Sequence, residues 1–157
     1  MKINIDKFQL SDIYNLKFKV FYPLTKFVSK KQFVNICNRM EVEKNTFFPI
    51  PLYFSLKTSI KKIKKIKVYF KGIYVCELDI KEVYSFPLRQ KKTIGYKIFG
   101  TKDIKHPGLK RFLFDTKFFL DCNIVNFKFT KNLIQFSDPG KLIKKLNKNN
   151  IKYLVGF

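Results

Sequence analysis

Residues 98–112, IFGTKDIKHPGLKRF, hold the only histidine of the chain, His106, with Asp103 three positions before it and Gly108 two after. An imidazole titrates near neutrality, so His106 is the first group to test for general acid–base work, and Asp103 is the nearest group that could orient it. The same phrase has a plainer reading. Pro107 suits the first position of a helix, which leaves His106 at a turn where its ring can satisfy a backbone group and Asp103 can cap. One histidine without a second base or a nucleophile beside it defines no triad. No catalytic residue is therefore assigned, and the turn role is expected.

Other chemistry-bearing residues are sparse. Cys37, Cys76 and Cys122 are widely spaced and form no CxxC pair. They read as small buried hydrophobes in a reducing compartment, with no metal site. Glu77 and Asp79 alternate outward along a strand, where solvent or lysine pairing accounts for them. The six glycines are scattered singly, with no GxxxxGK[ST] loop and no GxGxxG to cradle a phosphate, so no cofactor is expected.

The lysines are the remaining candidates. In KTSIKKIKKIKVYFK (57–71), Lys61, Lys62, Lys64, Lys65 and Lys67 are separated by Ile60, Ile63 and Ile66, and no acid occurs between Lys44 and Glu77. A solvated face with isoleucines docked inward is the ordinary explanation. A polyanion-contacting edge made of those five lysines is the sharper one. The net charge of +22 invites it, because a basic face gains affinity by releasing counterions from phosphates. The composition argues the other way. There are 30 Lys but only Arg39, Arg89 and Arg111, with no Ala and no Trp. Lys, Asn, Ile, Phe and Tyr belong to A/T-rich codons, so genome-wide bias explains much of the lysine. A reader of phosphates or bases would use more arginine for its bidentate fork. Nucleic acid is thus not the favoured partner.

The elements that must position these residues can be read from periodicity. Ser29 with Gln32 forms a capping-box pattern, followed by Phe33, Ile36, Cys37 and Met40 on one helical face. Pro49 and Pro51 open an extended edge segment. KIKVYFKGIYVCELDIKEVYSF (65–86) reads as a hairpin turning at Gly72, with Ile66, Val68 and Phe70 facing one side. On its second strand Tyr74, Cys76, Leu78 and Ile80 alternate with Val75, Glu77, Asp79 and Lys81. After the histidine phrase, Leu109, Phe112 and Leu113 give a short apolar face, and Val125, Phe127 and Phe129 predict another strand. A last helix is predicted with Asp138 as N-cap, Pro139 first, and Leu142, Ile143 and Leu146 inward. IKYLVGF (151–157) then reads as a strand buried on both faces. These patterns predict one α+β domain over residues 1–157, a barrel-like, mainly antiparallel sheet with flanking helices. The bulk numbers agree: 157 residues with 46% apolar and 17% aromatic content suffice for one real core. No run approaches the roughly 20 apolar residues of a membrane helix, and MKINIDKFQL is not a signal peptide, so a cytoplasmic protein without a membrane partner is expected.

Five co-linear phrases resemble the amino-terminal domain of ATP sulfurylase (sulfate adenylyltransferase), a PUA-like pseudo-barrel. VFYPLTKF (20–27) is similar to that family's Gly-x-Phe-x-Pro-Leu-x-Gly-Phe, and VNICNRMEVEKNTFFPIPL (34–52) to its helix, turn and Trp-Pro-Ile-Pro-Ile. KGIYVCELDIKEVYSF (71–86) resembles its strand pair. IFGTKDIKHPGLKRF resembles its Val-Phe-Gly-Thr-x-Asp-x-x-His-Pro-Gly-Val. DPGKLIKKLNKNNIKYLVGF (138–157) resembles its Thr-Pro-x-Glu-Leu-Arg helix and the strand leading into the catalytic domain. Lys19 and Lys26 stand where the family usually has glycine, Phe48 replaces Trp, and Asn150-Ile151 replaces Gly-Trp; a lysine at φ > 0 would be strained. In the family, the strand resembling 151–157 runs into Gln-x-Arg-Asn-Pro and His-x-x-His, which bind nucleotide. Neither motif occurs in this sequence. The resemblance implies a non-catalytic domain of the sulfate-activation system, packed on a catalytic domain supplied elsewhere or on further copies of itself. The alternative is a stand-alone basic PUA-like module that binds RNA or another polyanion.

Overall fold

The computed structural model describes residues 1–60, 63–128 and 139–151. In chain order the elements are β1 (Lys2–Asn4), α1 (Lys7–Lys17), α2 (Lys30–Arg39), β2 (Glu41–Glu43), β3 (Thr46–Phe47), β4 (Phe54–Leu56), β5 (Lys65–Phe70) and β6 (Ile73–Tyr84). They continue with α3 (Leu88–Phe99), α4 (Pro107–Lys110), a π-helical turn (Arg111–Asp115), β7 (Phe118–Val125) and α5 (Pro139–Lys148). Five strands form one mixed, curled half-barrel sheet in the order β1-β5-β6-β7-β4, and β2 pairs with β3 separately. Only β1 and β5 run parallel; the other neighbours are antiparallel, as the hairpin pattern requires.

The expected hairpin forms with its predicted register of faces. Ile66, Val68 and Phe70 are buried, while Lys65 and Lys67 point out. Its turn places Lys71 at φ 49° and Gly72 at φ 78°, the left-handed pair that suits the right-handed twist of the strands. Two details differ from strict alternation. Val75 is buried beside Cys76, and the strand continues to Tyr84 across an irregularity between Ile80 and Glu82. Because β6 is the central strand of the sheet, periodicity there yields to packing. The next strand lies earlier than its pattern indicates. β7 runs from Phe118 to Val125 and is buried on both faces, so it has no alternation to read. Phe127 packs partly buried beyond its end, and Phe129 is outside the described residues.

The capped helix α2 begins as expected, with Ser29 Oγ accepting from the Gln32 N–H at 3.3 Å and the Gln32 side chain accepting from the Ser29 N–H at 3.1 Å. Phe33 and Ile36 are buried, but Met40 ends the helix in the left-handed region at φ 55° and is exposed. Phe33 is the hub of the core. Its ring lies 5.5 Å from Phe119 on β7, 5.2 Å from Phe86, 5.7 Å from Tyr53 and 6.3 Å from Phe112, centroid to centroid. Such ring pairs add about 0.5–1.5 kcal/mol each beyond burial. One aromatic cluster therefore ties α2, the sheet and the π-helical turn together.

Two helices carry no pattern singled out above. α1 has its own capping box, with Asp6 accepting from the Phe8 and Gln9 N–H groups at 2.9 Å each. α3 packs against the π-helical turn through Gly95, where an added Cβ would lie 2.8 Å from Leu109 Cδ1 and 3.1 Å from Phe112 Cδ1. On α5, Leu142 is exposed and Leu146 only partly buried, so the expected inward face is not packed as the pattern implies. Asp138, the Ile143 side chain and residues 152–157 fall outside what is described.

Candidate functional site

The histidine corner is built as a helix start. His106 is the N-cap of α4, and its Nδ1 accepts from the Leu109 N–H at 3.2 Å. Its own N–H donates to the Asp103 carbonyl at 3.0 Å. Asp103 Oδ1 accepts from the Lys105 N–H at 2.8 Å, and Thr101 Oγ1 accepts from the Asp103 N–H at 3.1 Å. Each carboxylate and ring atom used here satisfies backbone, and Asp103 does not orient the imidazole. The His106 ring leans on Phe99 at 5.4 Å between centroids. Gly108 is required beneath it, because a Cβ there would come within 2.5 Å of Phe99 Cε1. His106 and Asp103 are both exposed. The hydrogen bonds at this corner are those of a helix start.

The three cysteines are free thiols. Cys76 and Cys122 are buried and Cys37 is half-buried. Burial pushes the Cys37 and Cys76 thiols up to about 12, and raises Cys122 well above its usual range. A thiol held protonated is a poor nucleophile and metal ligand. Among the described residues, no group of three His, Cys, Asp or Glu side chains could hold a metal ion.

Of the predicted polyanion contacts, Lys61 and Lys62 lie outside the described residues. Lys64 precedes β5, and its carbonyl accepts from the Ile80 N–H at 2.8 Å. Lys65 and Lys67 stand on the outer face of β5 opposite Asp79 and Glu77. Lys67 Nζ is 4.0 Å from Glu77, and Asp79 pairs with Lys81 at 2.8 Å, which holds its carboxyl below the usual carboxylate range, first through that hydrogen bond. Lys2 of β1 joins this face, its Nζ 5.8 Å from the Tyr69 ring, which in turn meets Tyr74 edge-on at 5.7 Å. The structure brings lysines and tyrosines together, and interleaves them with two acids.

A charged cleft of about 410 Å³ was not evident from spacing. Asp6, Gln9, Ser55, Lys57, Arg111 and Asp115 contribute to its walls. Asp6 Oδ1 caps α1 while Oδ2 accepts from Arg111 Nη2 at 2.5 Å, joining residues 105 positions apart. The guanidinium also lies 4.7 Å from the Phe8 ring centroid. Behind it, burial raises the Asp12 carboxyl to about 7; Arg111 opposes that rise and Asp6 adds to it. Asp6 followed by Gln9 was the one local signal, since it repeats the capping-box spacing of Ser29 and Gln32.

Two further lysine contacts also escaped the pattern. Lys26 Nζ donates to the buried Asp121 at 2.6 Å, which gives a local reason for lysine where the resembling family has glycine. Lys91 donates to the carbonyls of Leu113 (2.9 Å) and Thr116, closing the end of the π-helical turn. Burial lowers the pKa of Lys91.

The curled half-barrel sheet with its flanking helices defines an α+β domain of the PUA-like kind. A PUA-like domain model matches residues 1–126, and the chain belongs to that family. It is 25% identical over 111 residues to a sulfate adenylyltransferase of Pyrococcus abyssi, covering 70% of this chain and 28% of the relative. It is also 30% identical over 117 residues to one of Entamoeba histolytica, covering 70% of this chain and again 28% of the relative. The chain thus spans less than a third of the length of these relatives. A hexameric APS kinase from Thiobacillus denitrificans shares the fold with a TM-score of 0.63 at 11% identity, over 95% of this chain and 26% of that one. No described helix is long and apolar enough to cross a membrane.

Proposed function

We propose that residues 1–157 form the single, non-catalytic amino-terminal domain of a cytoplasmic sulfate adenylyltransferase-like system, packing against a catalytic lobe carried outside it. The observation that carries this reading is the mismatch of coverage. The family match extends over residues 1–126, yet the chain spans 28% of the similar sulfate adenylyltransferases. The geometry supports it as well. Joining sulfate to the α-phosphorus of ATP needs several fixed donors aimed at one charge-dense centre. Here His106 is engaged by a backbone amide, and Arg111 by Asp6. Pyrophosphate release from ATP and sulfate tests this: the purified chain gives no turnover above background. Turnover by the chain alone overturns it.

A second reading rests on the outer face of β1, β5 and β6, where Lys2, Lys65 and Lys67 surround Tyr69 and Tyr74. Lysines that neutralise phosphates beside aromatic platforms suit a single-stranded polyanion. Filter binding to a single-stranded RNA across a salt series tests it. A site gives a linear log–log slope and measurable affinity near physiological salt. Weakening by Lys65→Gln and Lys67→Gln would place it on this face.

A further inference from the structure

The loop at 18–23 and the β2–β3 hairpin present large apolar side chains to solvent together. Val20, Tyr22, Met40, Phe47 and Ile50 are 49 to 75% exposed. The two segments are one surface. The rings of Phe21 and Phe48 meet edge-on at 6.5 Å across the two segments, and within the hairpin the Phe48 N–H donates to the Met40 carbonyl at 2.8 Å and Glu41 pairs with Phe47. Scattered exposed hydrophobes are ordinary, but a contiguous apolar surface marks an interaction site. Backbone strain gathers at the same place: Lys19 (φ 59°), Met40 (φ 55°) and Asn45 (φ 63°) are all left-handed without being glycine. Strain of that kind persists where the surroundings or a function demand it.

We infer that this surface is where the chain docks on the catalytic lobe, and the inference rests on the lobe-packing reading above. Three observations choose that occupant. A second copy is disfavoured, because each copy carries +22 and like charges would be brought together. The similar sulfate adenylyltransferases carry more than twice as much chain beyond the matched portion, which spans 28% of their length. The rim of the patch is basic on balance, with Lys19, Arg39 and Lys44 exposed around it against exposed Glu43 and partly buried Glu41 on the same hairpin. That rim suits a partner offering an apolar centre ringed by acids, the usual anatomy of a stable interface.

The test co-expresses the full chain with the Entamoeba histolytica sulfate adenylyltransferase from which the matching segment has been removed, and measures co-elution and affinity. Phe47→Ser with Ile50→Ser removes apolar contact without changing charge and, at exposed positions, keeps the thermal melt of the chain. Leu88→Ser with Phe114→Ser, exposed on other elements, is the control. The expected result is a complex with the wild-type chain and with the control, weakened at least tenfold by the Phe47/Ile50 pair. Hydrogen exchange should slow in 19–23 and 40–50 on binding. A complex that both pairs leave equally tight overturns this docking surface and leaves lobe packing standing. Absence of any complex with the wild-type chain overturns lobe packing itself.

Discussion

Replacing Asp12 with asparagine should stabilise the protein at alkaline pH and leave it nearly unchanged in acid. Asp12 lies half-buried on α1, facing Arg111 of the π-helical turn, Asp6 at the helix start and Tyr53. Burial lifts its pKa from 3.8 to about 7. Between those values the folded state holds a proton that the unfolded state releases. Stability therefore falls as pH rises through this window, and the penalty is complete above about pH 7. Three pKa units at about 1.4 kcal/mol each set a ceiling near 4 kcal/mol, which partial exposure reduces to about 2–4 kcal/mol. Asparagine keeps the shape and removes the ionisation. Urea denaturation at about pH 4 and pH 8 measures both proteins by linear extrapolation. Wild type should lose stability across this interval by about 2–4 kcal/mol more than Asp12→Asn. Parallel losses would show that Asp12 ionises without cost, and the account of its burial would be wrong. Asp79 cannot mimic the effect. Its pKa is lowered, so its contribution is present above the ordinary carboxylate range and is lost only as pH falls.

The pair Lys26–Asp121 should respond unequally to its two deletions. Lys26→Met strands a buried carboxylate and costs about 3 kcal/mol, whereas Asp121→Asn leaves a half-exposed ammonium that water reaches and costs about 1 kcal/mol, as read from thermal melts. Lys19→Gly relieves a left-handed lysine and should raise stability by about 0.5–1 kcal/mol in urea titration. His106→Ala removes an N-cap and should cost about 1 kcal/mol in thermal melts, with His106→Asn restoring most of it. Gly95→Ala forces a methyl against the fully buried Leu109 and Phe112, and should cost about 1–3 kcal/mol by the same melts.

Local chemistry was legible wherever one residue's role depends on near neighbours. The Ser29–Gln32 cap, the alternation of Ile66, Val68 and Phe70, and the His106-Pro107 helix start all involve contacts within a few positions, so spacing alone specifies them. The order of the five family-like phrases likewise requires no coordinates. Tertiary structure decided the rest. Residues 118–125 lie on a strand buried on both faces, so they show no period to read. Arg111 meets Asp6 across 105 positions, Lys26 meets Asp121 across 95, and Phe21 meets Phe48 across the fold. Pairing at that range depends on how the sheet curls and which loops it brings together. The charged cleft and the apolar docking face are products of that closure; the Asp6–Gln9 cap is the one part of the cleft that local spacing encodes.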